Sequence, residues 1–269
     1  MNNVYIMSAN RSAIGGFGGT LKNHCPVDLG TLVAKEAITR SGFEANEVVH
    51  AVFGNVIHTE PRDMYVSRVI ALQAGMDKAS AALTVNRLCG SGLQAIVSAS
   101  QIIMLGDASV AMAGGVEVMS NGAHIVQGFR WGSRMGDGQV HDMMLGALHD
   151  PFGHGHMGIT AENVSSRYQI SREMQDEFAL TSQKRAHKAI QNGIFKDQIL
   201  PIEIKKRKGI EVFEVDEHPK PETSIETLSG LKTAFKKDGV VTAGNASGIN
   251  DGASALVLAN EEKAKKGEP

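Results

Sequence analysis

Over the first 118 residues, short apolar stretches alternate with segments whose apolar positions keep helical spacing. Residues 4–7, 51–53, 83–85 and 110–113 are apolar-rich runs of strand length, the pattern of strands buried on both faces. Between them Leu29, Leu32, Val33 and Ala37, then Val66, Val69 and Ile70, then Leu93, Ile96 and Val97 fall on one face of a helix. Gly42, Gly75 and Gly106 stand just past the ends of these helical patterns, where a left-handed cap is wanted. The alternation predicts an α/β layered core.

From about residue 119 to residue 241 the pattern changes to long glycine- and histidine-rich connections. Within them a helix is predicted over 172–191, capped by Ser171, and a hairpin pairing 200–204 with 210–215 across Lys205, Lys206, Arg207, Lys208 and Gly209. The core pattern resumes as a small-residue strand over 255–259, followed by a short helix over 261–266 that runs into Gly267, Glu268 and Pro269. This divides the chain into a core domain, 1–118 with 248–269, and an insertion over 119–247. The chain then ends where a linker to a further domain is expected to begin.

The 269 residues, 42% of them hydrophobic, are enough for one large or two modest domains with a real core. The net charge of −2 and the dispersed basic residues give no footprint for nucleic acid. The start at Met1, Asn2, Asn3 and Val4 lacks a basic region followed by a long apolar one, and no uninterrupted apolar run approaches the ~18 residues of a membrane span. The two cysteines, Cys25 and Cys89, have no metal-ligand spacing, so a reduced, cytoplasmic setting without a membrane is expected.

Cys89 carries the sharpest chemical signal. It follows an apolar stretch over 81–85, is flanked by Gly90, Ser91 and Gly92, and immediately precedes a helical pattern. A thiol there meets unpaired backbone N–H groups and the positive end of the helix dipole, which favour the attacking thiolate. The small neighbours clear an approach that a core cysteine would not need. Ser91 and Gly92 also fit an ordinary helix start.

The run from Val85 to Gly92 resembles the acyl-enzyme cysteine segment of the thiolases, which make or cleave 3-ketoacyl-CoA. Four further segments follow in the family's order: 11–19 (Arg-Ser-Ala-Ile-Gly-Gly-Phe-Gly-Gly), 114–120 (Gly-Gly-Val-Glu-Val-Met-Ser), 156–163 (His-Met-Gly-Ile-Thr-Ala-Glu-Asn) and 242–252 (Thr-Ala-Gly-Asn-Ala-Ser-Gly-Ile-Asn-Asp-Gly). Residues 60–65 (Glu-Pro-Arg-Asp-Met-Tyr) are similar to bacterial β-ketothiolases that accept acyl chains longer than acetyl. The resemblance implies an α/β thiolase-like layered fold, a five-stranded mixed sheet with helices on both faces, with an inserted α+β loop domain that binds CoA. It also implies an acyl-CoA C-acyltransferase with Cys89 as nucleophile and its N–H in an oxyanion hole. By position, His156 and Met157 match residues beside the pantetheine and acyl end. Ala234, Phe235, Ala243 and Ser247 match the tunnel wall, and Lys220 matches an adenine-side basic residue where arginine is usual. Coenzyme A is a substrate here; no cofactor and no metal are implied. The partners implied are acetyl-CoA and other acyl-CoA, with a homodimer or homotetramer for the whole protein. The segment 127–142 around Trp131 resembles the family's assembly loop.

The family's Asn-Glu-Ala-Phe, Gly-His-Pro and second Cys-x-Gly segments do not occur in this sequence. The C-terminal core domain is therefore expected to be missing, leaving no residue for the enolate-forming half of a Claisen condensation. A non-catalytic chain that folds, assembles and binds CoA is one alternative. A cysteine hydrolase is a remote one, since Gly92 and Leu93 stand where papain-type enzymes carry Cys-Trp and the distant His218 sits in a proline-flanked loop. His141, His149, His154 and His156 lack paired helical metal-ligand spacing, and residues 205–208 read as a solvated hairpin tip or a CoA-phosphate contact. Residues 15–19 lack the spacing of a dinucleotide fingerprint.

Overall fold

The computed structural model of the chain describes residues 3–266. The sequence's start at Met1 and Asn2 and its end at Gly267–Pro269 lie outside them. The described chain divides into two compact units. The first comprises residues up to Ala123, Asp197–Glu217 and residues from Asn250 on; the second comprises His124–Lys196 and His218–Ile249.

The first unit is built on a mixed sheet. Its long strands are β1 (Val4–Ser12), β2 (His50–Gly54), β3 (Ala81–Val85), β4 (Val110–Val118) and, after the hairpin strands β5 (Ile202–Lys206) and β6 (Gly209–Phe213), β7 (Asn250–Asn260). Across the sheet the order is β1, β7, β4, β2, β3. β7 runs antiparallel to both β1 and β4, whereas β4, β2 and β3 are parallel. Two two-residue strands bring the sheet to seven: Ile199–Leu200 beside β1, and Gly15–Gly16 beside β7. The expected five-stranded core is thus present with two short additions.

Helix α1 (Pro26–Ser41) packs against α2 (Val66–Gln73) on one face of the sheet, while α3 (Ser91–Leu105) covers the other. Alternation along the strands decides the partner: Val52, Ala111, Ala113 and Leu258 form one cluster with Ala95, Ala99 and Ile103 of α3. The intervening residues Phe53 and Met112 are fully buried and belong to the opposite face. Burial of a side chain such as Phe53 contributes roughly 1.5–3 kcal/mol. Gly30 of α1 is where Ile70 of α2 comes closest, and a Cβ there would overlap its side chain. Gly42, Gly75 and Gly106 all take positive φ, at 76°, 97° and 87°, as their positions after the helices predicted.

The boundary drawn from sequence differs at 197–217. That stretch lies within the expected insertion over 119–247 but groups with the sheet unit. The Arg11 N–H donates to the Gln198 carbonyl at 2.9 Å, and the Arg11 guanidinium forms a two-point ion pair with Asp216 at 2.7 and 3.0 Å. Glu217 accepts from the backbone of Gly16 at 2.8 Å and from the Thr20 hydroxyl. These partners are some 200 residues apart in the chain, so no local pattern announces them. The hairpin itself turns at 207–208, and its strands are shifted slightly from the expected ranges.

The second unit contains α4 (Met157–Tyr168) and α5 (Arg172–Gln191), the short helix Ile225–Ser229, and small hairpins pairing His124–Val126 with Val140–Asp142 and His149–Asp150 with Gly155–His156. Ser171 caps α5 as expected, its hydroxyl accepting the Met174 N–H at 3.3 Å. Contrary to the expectation that no stretch has membrane-spanning character, Leu88–Leu105 is long and apolar enough by composition to cross a membrane. In the fold it is the end of the Cys89 turn followed by α3, which packs on the sheet through Ala95, Ala99 and Ile103.

Candidate active site

The carboxyl ends of β1, β2, β3 and β4 and the start of β7 share one end of the sheet, the end where open α/β sheets gather their chemistry. Cys89 lies there, exposed, in the turn between β3 and α3. The turn is held by its own polar groups. Ser91 Oγ accepts the Arg87 N–H at 2.8 Å and donates to the Leu88 carbonyl at 2.7 Å, while Asn86 Oδ1 accepts the Leu88 N–H at 3.0 Å. Leu88 is thereby kept at φ 47°, a left-handed conformation that costs a leucine about 1–2 kcal/mol. Ser91 therefore does more than start a helix, because Gly90 is the N-cap and the Ser91 side chain reaches backwards to close the turn that carries Cys89.

One glycine lets this turn approach the sheet, and a second lies beside it in ordinary contact. A Cβ at Gly54 would sit 2.8 Å from the Ser91 Cβ and 2.9 Å from its carbonyl carbon, closer than atoms can pack. A Cβ on Gly115 would lie 3.6 Å from the Gly92 Cα. Behind them the loop after β2 is tied to the end of β3 by the Asn55 N–H, which donates to the Val85 carbonyl at 3.3 Å.

Glu117, near the end of β4, holds that loop by accepting the Val56 and Ile57 N–H groups at 2.5 and 3.2 Å. Burial pushes its carboxyl up to about 7 against these donors, and the charge of nearby Asp63 adds to the rise. Asp63 is itself fully buried and accepts from the backbone of Thr59 at 2.7 Å and of Glu60 at 3.1 Å, and from the Thr59 hydroxyl at 2.9 Å. At the same sheet end the Ser120 hydroxyl donates to buried Asp251 at 2.6 Å and accepts the Gly18 N–H at 2.8 Å. The glycine-rich segment 11–19, the segment 114–120 and residues 250–252 thus meet around the end that carries Cys89. Sequence reading singled out those segments but not Glu117, Asp63, Asp216, Glu217 or Asp251 individually. Glu117, Asp63 and Asp251 sit inside quoted segments; Asp216 and Glu217 have no local signal. Cys25 is the N-cap of α1, and burial pushes its thiol up to about 11.

The remaining residues singled out from sequence lie in the second unit: His156, Met157, Lys220, Ala234, Phe235, Ala243 and Ser247. The His156 ring stacks on Phe235 with centroids 4.8 Å apart, and His149 meets it edge-on at 5.1 Å. His156 Nδ1 accepts the Gly158 N–H at 3.0 Å as the N-cap of α4, a role that places the ring proton on Nε2. Met157, Ala234, Ala243 and Ser247 are exposed, and the Lys220 backbone donates to Gln183 at 2.8 Å. Stacking on Phe235 and capping α4 account for the placement of His156, and among the described residues no group of three or more His, Cys, Asp or Glu could hold a metal ion.

Residues 4–262 match the family model for the thiolase N-terminal domain. This chain belongs to the thiolase family. It is 54% identical over 264 residues to the beta-ketothiolase BktB of Cupriavidus necator, an alignment covering 98% of this chain and 67% of that protein. Against the mitochondrial 3-ketoacyl-CoA thiolase of Bos taurus it is 40% identical over 267 residues, covering 99% and 67%. Among solved structures, the Bacillus anthracis acetyl-CoA acetyltransferase superposes with a TM-score of 0.95 at 48% identity, covering 99% of this chain and 68% of that one. A human mitochondrial 3-ketoacyl-CoA thiolase in complex with CoA gives 0.93 at 39% identity. This thiolase chain therefore spans about two thirds of the length of the relatives it matches.

Proposed function

We propose that the chain carries the acyl-accepting half of an acyl-CoA C-acyltransferase, with Cys89 as the residue that takes the acyl group. The observation that carries this reading is an exposed thiol in a tightly held turn at the sheet end where the family-like segments meet. The sulfur bonds to the thioester carbonyl carbon, the carbonyl passes through a tetrahedral oxyanion, and the bond to the CoA sulfur breaks. CoA departs as a thiol, taking up the proton that the cysteine gave up. The Cys89 N–H stabilises the oxyanion, and the exchange of one thioester for another keeps the acyl carbon activated.

In the second unit, His156 and Met157 contact the acyl end and pantetheine, with His156 offering its Nε2–H. Ala234, Phe235, Ala243 and Ser247 wall the pantetheine tunnel, the Ser247 hydroxyl offering one hydrogen bond to an amide, and Lys220 lies toward the adenine. CoA is a substrate, and the chemistry draws on no cofactor or metal. The whole protein works in the cytoplasm as a homodimer or homotetramer, consistent with Trp131, 88% exposed in the segment that resembles an assembly loop.

Incubation with acetyl-CoA is expected to add one acetyl group to the chain by intact mass, and none to Cys89→Ala. Equal labelling of the variant overturns the assignment. A second acyl-CoA is expected to yield no 3-ketoacyl-CoA from this chain, because the sequence holds none of the family's Asn-Glu-Ala-Phe, Gly-His-Pro or second Cys-x-Gly segments. Condensation by the chain as given would overturn that part of the reading.

A further inference from the structure

In the second unit, residues 233–242 form a small hairpin-like loop. The Ala234 N–H donates to the Val241 carbonyl at 2.9 Å, and Thr233 bridges Thr242 in antiparallel fashion. This loop lies on one face of α4. Gly158 and Glu162, four residues apart, stack on that face. A Cβ at Gly158 would overlap the Phe235 ring, so the ring lies directly on the helix backbone. One turn further along, Glu162 is buried and its carboxylate accepts the Val240 N–H at 3.0 Å and the Val241 N–H at 2.9 Å. Gly239 makes room for it, since a Cβ there would overlap the carboxylate.

One helix face thus grips both ends of the loop, by ring contact at Phe235 and by hydrogen bonds at 240–241. Farther on, the Asn245 amide donates to buried Asp176 at 2.9 Å, and Asp176 pairs with Arg172 at 2.7 Å, tying the chain beyond the loop to α5.

We infer that Glu162 is a positioning residue for CoA binding: it fixes the 233–242 loop so that Phe235 lies against His156 and Ala234 and Ala243 present one continuous wall. The inference rests on the CoA reading given above and adds to it a residue that touches no ligand. One carboxylate oxygen, Oε1, accepts both the Val240 and Val241 N–H groups, and Oε2 accepts the Val240 N–H as well; in glutamine that second position becomes an N–H₂ donor set against the Val240 N–H, so the loop must shift away from it. The loss falls on the flexible arm of the ligand and not on its nucleotide.

The test is isothermal titration of the folded chain with CoA and with pantetheine, beside the rate at which iodoacetamide alkylates Cys89. Glu162→Gln is expected to weaken both ligands about tenfold and by the same factor, with alkylation within about twofold of the original rate. Gly239→Ala keeps the carboxylate but occupies its space, and is expected to reproduce the effect. Lys220→Ala is expected to weaken CoA and leave pantetheine unchanged. In the unaltered chain, bound CoA is expected to slow hydrogen exchange at the Val240 and Val241 amides, a reading that does not depend on any variant folding. If the unaltered chain binds CoA but both variants bind equally well, or exchange at 240–241 ignores bound CoA, the positioning role is overturned. If the unaltered chain binds neither ligand, the CoA reading itself fails and the role falls with it.

Discussion

At Glu117 a single side chain links the pH of the solution to the loop behind the Cys89 turn. Its carboxyl is raised from 4.5 to about 7, chiefly by burial, so between those values the folded chain binds more protons than the unfolded one. The stability this confers is complete below pH 4.5 and is lost as the pH rises through about 7, a change of about 3 kcal/mol for that rise in pKa. Thermal melts across that window are expected to show the decline in the original chain and a flatter profile in Glu117→Gln. Identical slopes would show that the group does not titrate in this way. Cys89 was legible as a residue because a thiol before a helix and among glycines is a local pattern. Glu117 was not, because its burial and its partners Val56 and Ile57 come from a different strand end.

Among the elements, the strands and helices of the sheet unit formed where their apolar periods predicted, and the glycine caps fell at positive φ. Burial on both faces held for β2 and the start of β4 but not for Tyr5 and Ile6 of β1 or for Leu83 of the edge strand β3, and α3 turns Ala95, Ala99 and Ile103 to the sheet while Leu93 and Val97 are exposed. What the periods did not show is how closely the start of α3 approaches β2. Gly54 is required there by space and not by backbone conformation, since a Cβ would lie 2.8 Å from that of Ser91. Gly54→Ala is expected to cost roughly 1–3 kcal/mol by overpacking and to slow iodoacetamide alkylation of Cys89, because relief requires the turn that carries Cys89 to move. Denaturant unfolding and the alkylation rate measure the two effects. An unchanged alkylation rate with lost stability would mean that the strain is absorbed elsewhere. The hairpin β5–β6 was visible as a hairpin, yet its attachment was not: Arg11–Asp216 and Glu217 at Gly16 join residues that only the folded chain brings together.

For the molecule as a whole, the sheet unit leaves much apolar surface uncovered on the side of α3. Leu93 is 69% exposed, Val97 41% and Leu105 78%, and Leu83 on the neighbouring strand β3 is 44% exposed. Exposed apolar side chains of this kind favour association. Anilinonaphthalene sulfonate is expected to fluoresce strongly with the folded chain, and the double variant Leu93→Gln with Val97→Gln to reduce both that signal and concentration-dependent aggregation by light scattering. No change in either would place the sticky surface elsewhere.

The sequence by itself determined the α/β alternation, the capped helices, the strand-to-helix turn at Cys89 and the order of the family-like segments, because each depends on residues close together in the chain. Only the tertiary structure decided that 197–217 folds with the sheet, that Glu117 and Asp63 brace the loop behind Cys89, and that Glu162 grips the loop carrying Phe235. Those features arise where buried carboxylates must find backbone N–H donors, and the donors that satisfy them are chosen by packing, not by spacing along the chain.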